Sequence, residues 1–497
     1  MPQFYSFNLG CRANQADGAA IEQDLSQHGF QAVADPLDAD VVVLNSCTVT
    51  AAADADLRQT VRRIHRGNPQ ARILVTGCYA QRCPEELSAL PGVSWVVGNG
   101  QKTGIARLLR QEYGFTPESK NSVPQENTAA APLSLGGAVE FHSLGSFVPA
   151  GEEPETALLP KILVGDIRAA QEFPVAPVVG GPVGDRTRPN LKIQDGCNNR
   201  CSFCIIPQVR GRSRSLPPAE VIRQVQVLCE RGYREVVLSG INLGRYGRDL
   251  AERMRFAELV RRILDETPLE RLRLSSVEPM DFTDELLDLM AASPRVAKHV
   301  HAPLQSGSDR ILRRMYRKYH PWHYRARMRA AFERMPNAAF GADVMAGFPG
   351  ETGADFEETV RFIESLPFTY LHVFPFSRRP GTLADTMADQ IPGTILRERS
   401  RLLRELAAGK NLDFRQRQIG RTLRVLTLDE KREGVASALS DNFLRVSLPG
   451  VSLPPNELVD VRIVEATEHG LAGELLEVQL SLPRTAPPPS IMTCARA

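Results

Sequence analysis

The sequence contains no apolar run approaching the roughly 18 residues of a membrane-spanning helix, and no charged segment followed by an apolar core opens it. These absences argue against a membrane span and a secretory signal, so we expect a cytoplasmic protein. The formal net charge of +2 over 497 residues is too small to indicate nucleic-acid binding by itself. Cysteine is scarce, with nine residues, and in a reducing compartment those thiols favour metal binding or reactivity over disulfides.

Three of the cysteines lie close together in a C-x3-C-x2-C pattern formed by Cys197, Cys201 and Cys204. Four thiolates would complete a zinc or iron–sulfur site, whereas three leave one metal of a cubane cluster without a protein ligand. The alternative is a zinc knuckle that lacks one ligand, and no further Cys or His follows at the spacing expected of such a site. The pattern therefore favours a cluster with one iron open to another molecule.

The first 115 residues alternate between strand-like and helix-like patterns, which predicts an α/β domain with a doubly wound parallel sheet. A cysteine follows each of three strands, at Cys11, Cys47 and Cys78. Because open parallel sheets bind ligands beyond the carboxyl ends of their strands, these thiols can converge although they are distant in sequence. We therefore predict a second site with three thiolates; the alternative is a set of small buried thiols without a metal.

The stretch 116–182 holds nine prolines, seven glycines, and eight acidic against three basic residues. A chain of this composition buries little apolar surface. We interpret residues 116–185 as an acidic linker or insertion with one short ordered piece around Lys161–Val164, and we expect no chemistry there.

Strand and helix patterns alternate again over residues 186–415. About six parallel strands with crossover helices predict a partial (β/α)6 barrel that functions at its carboxyl-terminal strand ends. His299 and His301 lie on a predicted buried strand, and we expect one of them to face the barrel interior as a core histidine. Short alternating runs over 416–481 predict a small all-β module, and the Pro-rich residues 482–497 are predicted to be disordered.

Several motifs together resemble the methylthiotransferases, which are radical S-adenosylmethionine (SAM) enzymes with an additional iron–sulfur cluster. These motifs are Asn8–Gln15, Lys192–Cys197, Cys204–Pro207 with Arg210–Ser215, Pro303–Ser308 and Gly347–Thr352. The resemblance covers nearly the whole chain outside the linker. It implies an amino-terminal cluster-binding domain, a radical SAM core and a carboxyl-terminal TRAM domain that binds RNA.

Within that family, the first-cysteine motif, the Gln-Asp-Gly before Cys197 and the stretch Leu274–Pro279 are similar to the branch acting on threonylcarbamoyladenosine beside the tRNA anticodon. The acidic insertion and Ala13, where the branch usually has a larger residue, are departures. The resemblance implies conversion of threonylcarbamoyladenosine to its 2-methylthio derivative, with two SAM molecules used per product. The alternatives are methylthiolation of isopentenyladenosine or of a ribosomal-protein aspartate, and a non-catalytic iron–sulfur electron carrier that binds RNA.

The family also implies two [4Fe-4S] clusters, one on each cysteine triad. The implied partners are tRNA, an electron donor such as a flavodoxin or ferredoxin, and a sulfur donor, and we expect a monomer. We predict that SAM contacts come from polar residues near barrel strand ends: Ser239, Asn242, Ser276, Glu278, Gln305 and Asp343. Each of these could instead be a turn residue, and Glu278 could cap the helix that follows it.

RNA contacts are expected from the basic loop after the second triad, from the arginine- and aromatic-rich stretch 310–334, and from the basic run 397–424. The run 397–424 holds nine basic and three acidic residues, which indicates electrostatic binding of phosphates. The stretch 310–334 could instead be a solvated helix face with aromatic core positions. The predicted RNA-contacting residues are Arg210, Arg212, Arg214, Arg313, Arg314, Arg317, Arg415, Arg417 and Arg421.

Overall fold

The computed structural model describes residues 1–114, 161–175, 187–430 and 434–476. The predicted disordered tail, 482–497, and most of the acidic segment lie outside the described residues. None of the described helices combines the length and the apolar content that a bilayer span requires.

The amino-terminal unit is a parallel six-stranded sheet in the order β2-β1-β3-β4-β5-β6. Val41 and Val43 of β3 pack into the core on one face of the sheet, and Val42 and Leu44 pack into the core on the other face. Helices cover both faces, so the predicted doubly wound sheet is confirmed. The strands are β1 Gln3–Asn8, β2 Gln31–Ala32, β3 Val41–Ser46, β4 Arg72–Gly77, β5 Val93–Val97 and β6 Lys161–Leu163; the helices are α1 Arg12–Gln27, α2 Ala51–Gly67, α3 Cys78–Arg82, α4 Pro84–Ser88 and α5 Ile105–Glu112.

Strand β6 comes from the acidic segment and pairs with the edge strand β5, where Trp95 lies opposite Lys161. The short ordered piece expected around Lys161–Val164 is therefore a sixth strand of the amino-terminal sheet.

The second unit is a partial barrel of six parallel strands, as predicted. The short β8 pairs antiparallel with the end of β7, and Leu272 of β10 bridges to Val296 just before β11. The barrel is open between β7 and β13. The strands are β7 Asn190–Asp195, β8 Arg214–Ser215, β9 Glu235–Gly240, β10 Arg271–Leu274, β11 His299–His301, β12 Ala339–Ala346 and β13 Tyr370–Pro375; the helices are α6 Ile206–Val209, α7 Pro218–Glu230, α8 Phe256–Glu266, α9 Asp284–Ala292, α10 Asp309–Arg314, α11 Pro321–Arg334 and α12 Gly353–Glu364.

A long helix, α13 (Gly393–Gln416), leads to a closed five-stranded barrel, called the terminal barrel below. This barrel confirms the predicted small all-β module. The basic run 397–424 lies largely on α13, which also buries Leu403, Ala407 and Phe414 along one helical face. The strands of the terminal barrel are β14 Thr422–Thr427, β15 Val435–Ser440, β16 Arg445–Pro449, β17 Leu458–Thr467 and β18 Gly470–Leu475.

The terminal barrel is held to strand β10 by two buried arginines. Arg271 Nη2 donates to the carbonyl of Arg424 at 2.8 Å, and Arg273 donates to the carbonyls of Ser440 and Asp441 at 3.0 and 2.9 Å. Glu235 of β9 accepts from Arg273 Nε at 2.7 Å and balances the buried charge. The terminal barrel therefore lies against the partial barrel through charge-assisted contacts.

Candidate active site

The first cysteine triad lies where the strand order of the amino-terminal sheet reverses. Cys11 follows β1, Cys47 follows β3 and Cys78 begins the helix after β4. The chain leaves β1 toward β2 on one side and returns to β3 on the other, so this edge is the topological switch point where open parallel sheets bind ligands. Cys47 and Cys78 are buried, whereas Cys11 is exposed.

Two glycines let the three thiol-bearing segments approach one another. Gly10 has φ +100°, and a Cβ there would lie 2.5 Å from Cys47 Cβ. Gly77 has φ +99°, and a Cβ there would lie 2.3 Å from the Ser46 carbonyl oxygen. Any larger residue would separate these segments, so the glycines before Cys11 and Cys78 allow the triad to assemble.

Burial, with the neighbouring Cys78 and Cys11, raises the pKa of the Cys47 thiol to about 12. Without a metal this thiol is neutral at pH 7, and a bound metal would displace its proton. Among the described residues, the only three metal-ligating side chains whose ligand atoms all lie within 4.8 Å of one another are His301, Asp343 and His372. Neither thiol triad is therefore arranged around a single ion, which suits a cubane cluster in which each thiolate binds a different iron.

The second triad lies in the loop between β7 and α6, with donors directed at its sulfurs. Asn242 Nδ2 donates to Cys197 Sγ at 3.5 Å, and Arg317 Nη1 donates to Cys201 Sγ at 3.1 Å. Burial, reinforced by Cys201, raises the pKa of the Cys204 thiol to about 12. Hydrogen-bond donors such as those of Asn242 and Arg317 stabilise the deprotonated, metal-bound form of a thiolate and tune the reduction potential of a cluster.

The two triads meet across the boundary between the units. Cys78 packs in one apolar cluster with Ile205 and Val209, and Ile205 directly follows Cys204. Asn99 Nδ2 donates to the Val209 carbonyl at 2.6 Å and lies 3.7 Å from Cys78 Sγ. The structure thus brings together two sites that the sequence predicts separately.

A buried ionic network, called the clamp below, fixes this boundary. Asp17 of α1 pairs with Lys102 at 2.7 Å, with Arg210 at 3.0 Å and with Lys192 of β7. Asp195 accepts from the same Arg210 at 2.9 Å and pairs with Lys192 at 3.1 Å. Burial alone would raise the pKa of Asp17, but the three cations outweigh it and hold that pKa far below its ordinary value.

Asp17 and Lys192 are not among the predicted site residues, and Arg210 is among the predicted RNA contacts although it lies in the clamp. A signal was present, because Asp17 lies on the α1 face that also buries Ala13, Ile21 and Leu25. A carboxylate on an otherwise apolar helix face indicates a buried ion pair.

The predicted SAM residues occupy two kinds of environment. Within the described chain, Ser239 Oγ, Asn242 Oδ1 and Gln305 Oε1 are buried and have no hydrogen-bond partner. Gln305 also has φ +66°, a left-handed conformation that is uncommon for non-glycine residues. Buried polar atoms without partners are costly, so these three atoms are suited to hydrogen bonding with a polar ligand such as SAM.

The other three predicted SAM residues have partners on the chain. Ser276 Oγ lies 2.7 Å from His301 Nδ1, and Asp343 lies 3.2 Å from His372 Nδ1. Glu278 accepts from Arg317 Nη2 at 2.5 Å and makes no side-chain cap, so the alternative role as a helix cap is not observed.

Two family models match the chain: the Radical SAM superfamily over residues 191–363, and the Uncharacterized protein family UPF0004 over residues 3–98. The threonylcarbamoyladenosine tRNA methylthiotransferase MtaB of Bacillus subtilis (strain 168) is 35% identical over 477 residues, covering 95% of this chain and 95% of that protein. The protein of the same name from Aquifex aeolicus (strain VF5) is 34% identical, covering 89% and 95%.

The chain belongs to the methylthiotransferase family of radical SAM enzymes. Relatives in this family differ in their named target. The tRNA-2-methylthio-N(6)-dimethylallyladenosine synthase of Desulforamulus reducens (strain ATCC BAA-1160 / DSM 100696 / MI-1) is 30% identical, covering 94% of each chain. The radical SAM methyltransferase TsrM of Kitasatospora setae superposes with a TM-score of 0.50 at 16% identity, covering 77% of this chain and 73% of that one, which shows a shared fold.

Three of the arginines predicted to contact RNA have structural roles in this methylthiotransferase. Arg210 is buried in the clamp. Arg214 is buried and donates to the carbonyls of Glu172 and Arg210 at 2.7 and 2.8 Å. The Arg317 side chain is 5% exposed and pairs with Glu278. We therefore correct the prediction for these three, since their guanidinium groups are committed inside the protein.

The remaining predicted RNA residues lie nearer to solvent. Arg212, Arg313, Arg417 and Arg421 are exposed. Arg314 is half-buried and donates to the Pro349 carbonyl at 3.2 Å. Arg415 donates to the carbonyls of Thr467 and Glu468 at 2.9 and 2.5 Å, so it links α13 to the terminal barrel.

The methylthiotransferase has a basic groove between α13, β13 and the terminal barrel, called the outer groove. Its volume is about 850 Å³, and its basic lining residues are Arg188, His372, Arg404, Arg415, Arg445 and His469. One acidic residue, Glu468, faces them. A groove of this charge suits a phosphate backbone.

A smaller cavity of about 140 Å³, called the inner cavity, adjoins this groove and shares Tyr370, His372 and Phe443 with it. His299 and His301 both line the inner cavity. We expected one of them to face the interior; both do, because residues two apart on a strand share a face. The His299 ring stacks on Phe443 with centroids 4.5 Å apart.

Proposed function

We propose that the chain transfers a methylthio group to C2 of threonylcarbamoyladenosine beside the anticodon of tRNA, with a [4Fe-4S] cluster on each triad and two SAM molecules per product. The observation that carries this proposal is the packing of Cys78 against Ile205, since it joins two sites of three thiols each. An electron carrier needs no open metal position. Two clusters that each leave one iron without a protein ligand, on either side of the same boundary, favour a reaction that uses two different ligands.

The chemistry of the target requires a cofactor. The hydrogen on C2 of a purine is neither acidic nor a leaving group, so acid–base catalysis cannot lower the barrier. When bound, the clusters and SAM supply the radical chemistry, the sulfur and the methyl group, while the protein supplies position and environment.

Residues of this chain hold and surround these groups. Asn242 and Arg317 donate to the sulfurs of the second triad, and the polar atoms of Ser239 and Gln305 are available to SAM. The clamp holds the amino-terminal unit against β7, at one edge of the open barrel, through the pairs of Asp17 with Lys192 and Arg210.

The threonylcarbamoyl target is supported by the relatives of that name, which align over most of the chain. Dimethylallyladenosine is the second candidate, because other relatives aligned over most of the chain carry that name. In both cases the outer groove is the binding site that we propose for the anticodon region of tRNA. A low-potential flavodoxin or ferredoxin would supply electrons, and a sulfide or persulfide source would renew the first cluster.

Mass spectrometry of tRNA nucleosides from cells lacking this protein tests the proposal, with complementation by wild type, Cys11→Ala or Cys83→Ala. We expect 2-methylthio-threonylcarbamoyladenosine to disappear and to return with wild type and with Cys83→Ala. Cys11→Ala should fail to restore it. If a different methylthio nucleoside is lost, tRNA methylthiolation stands and the threonylcarbamoyl target is wrong. If the set of methylthio nucleosides is unchanged, tRNA methylthiolation itself is wrong.

A further inference from the structure

Three adjacent strands of the partial barrel carry a histidine or a carboxylate on the same face. His301 ends β11, Asp343 lies on β12 and His372 lies on β13. Asp343 and His372 are register partners, and His301 pairs with Gly341, two positions before Asp343. Residues two apart on a strand share a face, so the three side chains project from one face of the sheet. All three line the inner cavity, whose wall therefore holds three potential metal ligands.

The ligand atoms have the spacing that a single small cation requires. Asp343 Oδ1 lies 3.2 Å from His372 Nδ1 and 3.5 Å from His301 Nε2. One ligand atom from each of the three residues lies within 4.8 Å of the other two. Ligands that surround zinc tetrahedrally at its usual bond lengths lie about 3.4 Å apart. The two separations from Asp343 therefore already match the edges of such a tetrahedron.

The surroundings of His301 leave one ring nitrogen ready to bind a metal. Its side chain is 6% exposed, and its Nδ1 lies 2.7 Å from Ser276 Oγ. When Nδ1–H donates to Ser276, the unprotonated nitrogen is Nε2, which is buried and has no hydrogen-bond partner among the residues that the structure describes. Metal-binding histidines usually donate their other ring nitrogen to an oxygen in this way. A metal ion on Nε2 would satisfy an atom that is otherwise costly to bury.

The opposite side of the arrangement is open. The side chains of His372 and Asp343 are 61% and 27% exposed, and His372 also lines the outer groove. An ion can therefore enter without opening the fold. One carboxylate leaves a divalent ion with a net positive charge, and Arg12 and Arg273 add further positive charge to the cavity lining. A fourth ligand that is an anionic oxygen would balance this charge.

We propose that His301, Asp343 and His372 bind a divalent transition-metal ion such as Zn²⁺, with a fourth coordination position open to the inner cavity. Two imidazoles and one carboxylate beside an open position form the donor set of several catalytic zinc sites. Imidazole nitrogen favours transition metals over Mg²⁺ and Ca²⁺, which take oxygen ligands. The open position would receive water or an oxygen of a group that enters from the outer groove. This inference goes beyond the proposed function and does not rest on it.

The test measures zinc uptake by the full chain with its clusters in place. The protein is reconstituted anaerobically, freed of any affinity tag, and treated with a chelator until only cluster iron remains. Zinc per chain is then determined by equilibrium dialysis against ZnCl₂ and elemental analysis. The variants are His372→Ala, Asp343→Asn and, as a matched control, His323→Ala, at an exposed position of α11. Iron and sulfide per chain show whether each variant keeps its clusters.

We expect wild type and His323→Ala to bind one zinc ion per chain that His372→Ala and Asp343→Asn bind at least about tenfold more weakly. Uptake by either of these two variants equal to that of wild type would overturn the site.

Zinc-edge X-ray absorption of the wild type, loaded with one equivalent of ZnCl₂, identifies the ligand atoms. We expect nitrogen and oxygen ligands at about 2.0–2.1 Å. A shell dominated by sulfur at about 2.3 Å would also overturn the site, because the zinc would then be bound by cysteines. Neither measurement uses methylthiolation activity, so failure of the proposed function would leave this inference standing.

Discussion

Asp54 of helix α2 and Arg379, which follows strand β13, form a buried ion pair in which Arg379 Nη1 donates to Asp54 Oδ2 at 2.6 Å. The clamp around Asp17 makes the corresponding contact with β7. The amino-terminal unit is therefore fastened to both free edges of the open barrel. Since each triad belongs to a different unit, these two contacts determine how the triads face each other.

Removing one carboxylate from the clamp should destabilise the protein. In Asp17→Asn, Lys102 would lose its carboxylate partner, and Arg210 and Lys192 would keep only Asp195; breaking a buried pair in this way costs about 3 kcal/mol or more. We expect a lower unfolding temperature by calorimetry under anaerobic conditions. The control is Asp56→Asn, at an exposed position of α2. Equal unfolding temperatures for the two variants would contradict a stabilising clamp.

The first triad should bind one of the two clusters, and therefore about half of the iron bound per chain. Cys47→Ser removes a buried ligand candidate at the switch point, and we expect iron and sulfide per chain to fall to roughly half of the wild-type value, with the second triad still loaded. Cys83→Ser is the matched control, because Cys83 is half-buried in the same unit but follows no strand. Iron content unchanged in Cys47→Ser would show that Cys47 is not a ligand.

The sequence was sufficient for the features that depend on local pattern. Strand periodicity placed Cys11, Cys47 and Cys78 at successive strand ends, and the general behaviour of parallel sheets then predicted their convergence. The short strand β6 was likewise visible as an ordered piece within a segment of disordered composition.

Features that depend on distant partners could not be predicted. Arg210 belongs to a basic loop and resembles an RNA contact in sequence, but its partner Asp17 lies 193 positions away. Whether an arginine is buried in a pair or exposed to solvent is a property of the folded chain. The inner cavity is similar in this respect, because Arg12, Asp343 and Phe443 come from three different units.

Arg317 should tune the second cluster. Its guanidinium donates to Cys201 Sγ and pairs with Glu278, so Arg317→Met would remove a positive charge and a donor and leave the carboxylate near the sulfur. The lost charge and the lost hydrogen bond both disfavour the reduced cluster, because it is more negative than the oxidised one, and the uncompensated carboxylate acts in the same direction. We expect a reduction potential lower by on the order of tens of millivolts, measured by an EPR-monitored redox titration.

The control for that titration is Arg313→Met, because the Arg313 side chain is 67% exposed and pairs with Asp309 on its own helix. Arg317→Lys keeps the charge and should recover part of the shift. A potential in Arg317→Met equal to or above that of wild type would show that Arg317 does not act on the cluster.

The outer groove should bind the RNA backbone, and a pair of arginines on α13 can test this. Arg404 lines the groove, whereas Arg401 lies on the same helix outside that lining and pairs with Glu405 at 2.7 Å. We expect Arg404→Gln to weaken binding of an anticodon stem-loop by roughly threefold at moderate salt. It should also reduce the slope of log affinity against log salt concentration by about one, because one phosphate contact is lost. Arg401→Gln should change neither quantity, and equal effects of the two substitutions would indicate general electrostatic attraction to α13 instead of binding in the groove.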